Sequence, residues 1–412
     1  MNIYSYVILC ALLLQFLLDN ISDALNLKAL KNEIPPDLVG VYKPAEYQKS
    51  QDYTRSLTRF SFLTSSFGLL IILLFWFTGG FNILDQIIRS WDFGDIANGL
   101  CYIGILMIAY ELLMLPFSVY VTFFIEEQFG FNRTTPRVFS TDRLKGLALT
   151  ILLGGSVLAA ILVLFEYAGN YAWLYCWLAV AIFNIVMQFI APIWIMPFFN
   201  KFTPMDPGEL KDAIQSYADS RGYEVCNISV MDSSKRSTKT NAFFTGFGRT
   251  KQIALFDTLI SKHTIEELIA VLAHEIGHYK KKHVLWGTLI SIAHTGLIFY
   301  LLSVLLGSSG LYQAFYMGET SIYTGLLFFG LLYIPVEMVL AIALHILSRK
   351  HEYEADRFAV QTTGKPESLV GALEKLHSNN LSNLTPHPFY VFLNYSHPTL
   401  LQRIQAIKLY KI

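Results

Sequence analysis

Charged residues are scarce in this chain. They make up 15% of its 412 residues, against roughly 25% in an average soluble domain. Those present cancel, 31 basic against 31 acidic, so there is no electrostatic footprint for a nucleic-acid partner. Cysteine is scarce as well. Of the four, Cys10, Cys101, Cys176 and Cys226, none forms a CxxC pair and three lie in apolar runs. That argues for apolar fillers rather than a disulfide framework or a thiolate metal site. Tandem repeats and low-complexity tracts are missing. The first apolar stretch also lacks the basic leader of a cleaved secretory signal, so it reads as an uncleaved span.

Apolar side chains fill the space that charge leaves. Hydrophobic residues make up 53% and aromatics 15%, and the mean hydropathy is +0.43. A soluble protein of this composition would expose large apolar patches, so the chain reads as an α-helical polytopic membrane protein. A span needs about 20 mostly apolar residues. Seven stretches qualify: 3–21, 60–84, 97–124, 146–167, 172–196, 284–308 and 321–348. Loop charge sets their direction. Lys28, Lys31, Lys43, Lys49, Arg55 and Arg59 follow the first span, Arg133, Arg137, Arg143 and Lys145 the third, and Arg349 and Lys350 the seventh. Segment 200–283 is also basic, whereas the loop after the second span carries only Arg89 and the turns after the fourth and sixth carry no Lys or Arg. Basic loops stay cytosolic, so the amino terminus is expected outside or in a lumen. The chain then divides into spans one to five (1–199), a cytosolic segment (200–283), spans six and seven (284–348) and a cytosolic tail (349–412).

Within the cytosolic segment, "VLAHEIGHYKKKH" runs from Val271 to His283. Residues at i and i+4 share a helix face, so His274 and His278 can offer two imidazoles to one ion. A catalytic zinc wants three protein ligands and an open position for water. Glu275 stands where it could take a proton from that water. The rival reading is a solvated amphipathic helix whose histidines bind nothing. A third ligand is available in "SRKHEYEADRFAV", where Glu352 and Asp356 share a face. Glu352 would ligate, and Asp356 would accept the second ring N–H of a ligand histidine. His351 and Glu354 are expected to point away from that face, and Glu354 to be dispensable for metal and activity. Two spans separate His278 from Glu352, and an even number returns the chain to the same side of the membrane.

Other features leave two readings open. Glu111, Glu337, His294 and His345 lie in or near spans. Such groups face either a water-filled cavity or a few hydrogen bonds in a dry bundle. The stretch "ISVMD…NAFFTGFGRTKQIALFD", around Gly246 and Gly248, alternates as a small β-element. Its exposed strand either holds a peptide by backbone pairing or merely covers the neighbouring helix. His397, in "YSHPTLLQR", reads on its own as a turn residue before Pro398.

Taken in order, "LNLKAL", "EYQKSQDYT", "IEEQFGFNRTT", "PIWIMPFFNKFTPM", "DSSKRSTKTNAFFTGFG", the HExxH, the ExxxD and "YSHPTLLQRIQA" resemble the type I CAAX prenyl proteases. These are integral membrane zinc endopeptidases that trim prenylated proteins. The resemblance implies one Zn2+ per chain on His274, His278 and Glu352, with Glu275 as general base. It implies that Asn241, Ala242 and Phe243 belong to a substrate-binding edge, that His397 stabilises the oxyanion, and that Arg403 supports it. It also implies a ring of seven helices around a large water-filled chamber, with the zinc site at its cytosolic end. The expected activity is cleavage near the C terminus of prenylated or similar membrane-proximal peptides, in a bacterial inner membrane or the endoplasmic reticulum. Two rivals stand beside it: a quality-control protease acting on unprenylated chains, and a channel or transporter.

Overall fold

A computed structural model of the chain describes residues 1–31, 33–225, 227–245 and 252–410. Cys226 and the two glycines expected in the β-element, Gly246 and Gly248, lie outside them. Five helices open the chain, each long and apolar enough to cross a membrane: α1 (Ile3–Ala29), α2 (Pro44–Phe77), α3 (Asp95–Gln128), α4 (Pro136–Tyr167) and α5 (Gly169–Phe199). After α6 (Glu209–Ser220) and α7 (Ile265–Lys280) come two more of that kind, α8 (His283–Leu305) and α9 (Ile322–Thr363). The tail adds α10 (Pro366–Asn379), α11 (Pro388–Asn394) and α12 (Leu400–Leu409).

The seven long helices match the expected spans in number but not in length. α4 starts at Pro136 and α9 runs on to Thr363, because hydropathy marks the lipid-facing part of a helix and not its ends. The expected second span, 60–84, overshoots. α2 stops at Phe77, where Gly79 takes φ +74 and a short helix, Gly80–Arg89, turns away. A left-handed glycine is a common end to a helix.

The long helices close a ring in chain order. α1 packs on α2, α2 on the end of α3, then α3 on α4, α4 on α5, α5 on α8, α8 on α9, and α9 back on α1. In each of α2, α3, α4 and α5 only 6% of the most apolar window is buried. A dry bundle would bury one face of each helix, so the ring is hollow. Polar pairs link neighbouring helices of the ring: His294 Nε2 of α8 lies 3.1 Å from Tyr333 Oη and 3.5 Å from Glu337 on α9, and Arg143 of α4 pairs with Glu111 of α3. Where α2 ends and α9 begins, buried Trp76, Phe81, Tyr102, Phe315, Tyr323 and Phe328 close one mouth of the ring.

Motifs far apart in sequence pin the opposite end. Asn26 accepts from the His387 backbone N–H at 3.2 Å and the Asn383 amide at 3.3 Å, which ties α1 to the tail. Glu126 accepts from Tyr53 Oη at 2.5 Å and Lys239 Nζ at 3.0 Å, which ties the segment between the second and third strands of a small sheet to α2 and α3. That sheet has four strands, β1 (Phe202–Pro204), β2 (Asn227–Met231), β3 (Ala242–Thr245) and β4 (Gln252–Phe256), in the order β1-β2-β4-β3. β2 and β4 are parallel and the outer pairs antiparallel. Ile253 and Leu255 of β4 pack on Leu268, Leu272 and Ile276 of α7. The sheet therefore grips one face of α7 and leaves its other face to α9.

Candidate metal centre

α7 starts cleanly. Thr264 accepts from the Glu267 backbone N–H, and the Glu267 carboxylate accepts from that of Thr264 at 2.9 Å, the reciprocal capping box. Its contact with α9 is very close, since Gly277 lies against the backbone of Ala355. α9 is a single helix of 42 residues. At 1.5 Å per residue it is about twice as long as the roughly 30 Å hydrocarbon core is thick. It leaves the membrane region as a rigid arm that carries Glu352 and Asp356 to α7.

Three side chains meet where the helices cross. Nε2 of His274 lies 3.1 Å from Nε2 of His278. Glu352 sets Oε2 at 3.4 Å from the first and Oε1 at 3.3 Å from the second. Nδ1 of His274 is 2.8 Å from Asp356 Oδ1, and a carboxylate only accepts, so that nitrogen carries the ring proton. Nε2 of a neutral His274 is then a bare lone pair aimed at other acceptors. Glu352 Oε2 is buried and accepts no hydrogen bond. Against the cost of burial, the Asp356 and Glu352 carboxylates raise the pKa of His274 to about 9, so this spot attracts positive charge, either a second ring proton or a cation, and these three residues form a possible metal-binding group.

Arg403 holds the cluster from behind. It is 7% exposed and forks onto Asp356 with Nη2–Oδ1 at 2.6 Å and Nε–Oδ2 at 2.9 Å, while Nη1 is 3.5 Å from Glu352 Oε2. His397 stands at the mouth. Its side chain is 61% exposed, yet Nε2 lies 3.4 Å from Glu352 Oε1. Ser396 Oγ, 2.9 Å from Nδ1, can donate to that nitrogen and leave the proton on Nε2. Glu275 lies beside the cluster, and burial pushes its carboxyl above the usual range, helped by the charge of Glu352. With the histidines neutral, the three carboxylates Glu275, Glu352 and Asp356 outnumber the one guanidinium by two charges, which a divalent cation would cancel.

Asn241 is exposed and leads into β3, where Ala242 pairs with Leu255 and Phe243 with Ala254. β3 forms an edge of the sheet and reaches the cluster through β4 and α7. Glu354 faces away from Glu352, as its spacing predicts, and on that side it meets His283. Its Oε2 lies 3.0 Å from His283 Nε2, and His283 Nδ1 is 3.0 Å from His278 Nδ1. Sequence reasoning passed over His283 because it follows three lysines and reads as membrane-flanking charge. Its spacing of five from His278, across a helix break, was the available signal.

Residues 204–411 match the model of peptidase family M48, and residues 23–201 match one described as CAAX prenyl protease N-terminal, five membrane helices. The chain belongs to family M48. Its relatives there include CAAX prenyl protease 1 of Saccharomyces cerevisiae, 35% identical over 92% of this chain and 89% of that one. The homologue from Oryza sativa is 33% identical over 98% and 97%, and the human homologue 31% over 92% and 89%. The crystal structure of Ste24p from S. mikatae superposes with a TM-score of 0.92 at 34% identity, covering 99% of both chains. This M48 chain is an integral, multi-pass membrane metalloendopeptidase, and the channel or transporter reading falls.

Proposed function

We propose that the chain is a zinc endopeptidase that cuts near the C terminus of CAAX-type prenylated, membrane-anchored peptides. The observation that carries this reading is the acceptor cluster of His274, His278 and Glu352. Bonds of 2.0–2.1 Å in a tetrahedral zinc site hold ligand atoms about 3.3–3.4 Å apart, and the separations here are 3.1, 3.3 and 3.4 Å. Bound zinc supplies a water of lowered pKa and polarises the peptide carbonyl. Glu275 would take the proton of the attacking water as the water oxygen bonds to the carbonyl carbon. It then delivers the proton to the amide nitrogen as the C–N bond breaks. His397 donates its Nε2–H to the oxyanion that develops on the carbonyl. Asp356 keeps the His274 ring proton on Nδ1, and Arg403 holds Asp356.

Substrate and setting follow from what surrounds the cluster. The relatives' names supply the prenyl group. The outer edge of β3, with Asn241, Ala242 and Phe243, pairs with the peptide backbone. α8 starts directly after Lys280, Lys281 and Lys282, so the site adjoins the membrane surface. There an anchor gains about 0.8 kcal/mol per buried CH2. The basic loops favour the cytosol for this face, and relatives from yeast, rice and human favour the endoplasmic reticulum over a bacterial inner membrane. Backbone pairing reads no lipid, which keeps quality control of unprenylated chains as a second reading.

The test is kcat/KM of the metal-loaded protein on one peptide with and without a farnesyl chain. A rise of tenfold or more with the lipid supports the proposal, and equal values transfer it to quality control. Labelling of single cysteines in 200–283 should fail from outside intact membranes; labelling there would overturn the orientation.

A further inference from the structure

His278 has a second ring nitrogen, and its surroundings are as ordered as those of the first. Nδ1 lies 3.0 Å from Nδ1 of His283. Nε2 of His283 lies 3.0 Å from Oε2 of Glu354. His283 is 6% exposed. Its ring stacks on that of His351 with centroids 3.9 Å apart and planes 8° from parallel. The chain brings it there through Lys282, whose φ of +59 breaks α7 from α8 and turns the first residue of α8 back toward His278.

One arrangement of protons satisfies this row. The Glu354 carboxylate accepts, so Nε2 of His283 carries the hydrogen. Nδ1 of the neutral His283 ring is then an acceptor, and Nδ1 of His278 must donate to it. That leaves the lone pair of His278 on Nε2, facing His274 and Glu352. His274 receives the same service from Asp356 directly. The two histidines thus have separate carboxylate anchors, one on each side of the α9 arm, and the second acts at one remove.

We propose that His283, backed by Glu354, is a positioning residue that fixes the tautomer and ring plane of His278 for metal binding. The proposal rests on the metal assignment above. His351 braces the His283 ring by stacking and takes no proton.

The experiment measures zinc release from purified, loaded full-length protein into excess chromogenic chelator. His283→Ala should release zinc at least tenfold faster than the parent, in the 10–100-fold range typical of such outer partners. His283→Gln, whose carbonyl oxygen can still accept from His278 Nδ1, should recover part of the loss. Glu354→Ala should release zinc severalfold faster, and the Co2+-loaded form of each alanine variant should show a shifted visible spectrum. Release within twofold of the parent for both alanine variants, with unshifted cobalt spectra, overturns the proposal. If His283→Ala does not fold, Glu354→Ala decides alone, since that side chain is 38% exposed and its loss empties no core. Glu352→Ala separates the two levels of the argument. If it still binds zinc stoichiometrically, the metal assignment fails. If it loses zinc while the His283 and Glu354 variants behave as the parent, only the relay fails.

Discussion

Gly277 offers a test of how tightly the centre depends on the crossing of α7 and α9. A Cβ at this position would stand 3.1 Å from Ala355 Cα, 3.2 Å from the Ala355 carbonyl oxygen and 3.2 Å from Phe358 Cβ. Ordinary van der Waals contact begins at about 3.4 Å, so Gly277→Ala asks the two helices to part by a few tenths of an ångström. None of the opposing atoms is the loose end of a side chain, so the strain cannot be relieved by a rotamer change. Glu352 lies one turn before Ala355 on α9 and moves with it. Metal ligands tolerate roughly 0.2 Å, and the third ligand is carried beyond that. Two effects compete in the metal-free fold. Removing a glycine from a helix interior gains about 0.8–1.0 kcal/mol, whereas overpacking costs about 1–3 kcal/mol. The metal-free protein should therefore melt near or a few degrees below the parent. The loaded protein should lose at least about 1.4 kcal/mol of metal affinity, a factor of ten. Competition with a chelator of known affinity gives the second quantity, and melting with and without metal gives the first. A variant with unchanged metal affinity and a raised melting temperature would refute the reasoning, because it would mean that α7 and α9 can separate without moving the ligands.

Other substitutions address single roles. Glu275→Gln should keep the metal and lose hydrolysis by about 10²–10⁴-fold, as read by elemental analysis beside peptide turnover. His397→Ala should also keep the metal, since it supplies no ligand, and should raise the barrier by about 2.7–4 kcal/mol, seen in kcat more than in KM. Stability should fall in acid through His377, whose Nδ1 donates to the Leu373 carbonyl at 2.8 Å. Burial, reinforced by Arg403 and His397, holds its pKa at about 4 rather than 6.5. The folded state resists a proton that the unfolded chain takes. The contribution is complete above pH 6.5 and is lost down to about pH 4, at no more than about 1.4 kcal/mol per unit. Melting the metal-free protein across that window should show the slope, and His377→Gln should flatten it.

Much of this was legible from short-range pattern. HExxH and ExxxD are helix-face statements, and i,i+4 spacing holds whatever the helix packs against. The return of Glu352 to the level of the histidines followed from counting spans between them. What spacing could not supply was the second side of α9. Glu354 is two residues from Glu352, so spacing turns it to another face of the helix, but spacing does not say that this face meets His283. A residue that faces away from one partner faces something else, and only the position of the start of α8 says what. Arg403 shows the same limit: nothing near it in sequence marks an arginine that will be buried against Asp356.

The ends of elements were illegible for a different reason. Hydropathy responds to the environment of a side chain, while a helix ends where backbone hydrogen bonds find other partners. Hence α9 runs 42 residues although its apolar stretch is shorter, and the same mismatch makes the site possible. A helix that stopped at the membrane surface would leave Glu352 in a loop, whose position no packing would fix. Continuing as an arm, and held to α7 by Gly277 and to the tail by Arg403, it delivers the carboxylate with the rigidity of a helix. The hollow stays open between two readings in the residues themselves, and enters only through the family resemblance, for the opposite cause. An apolar wall reads alike in sequence whether lipid or an open interior lies beyond it. The distinction appears only when the seven helices are seen to contact their neighbours around a closed circuit while burying so little of α2 to α5 against one another.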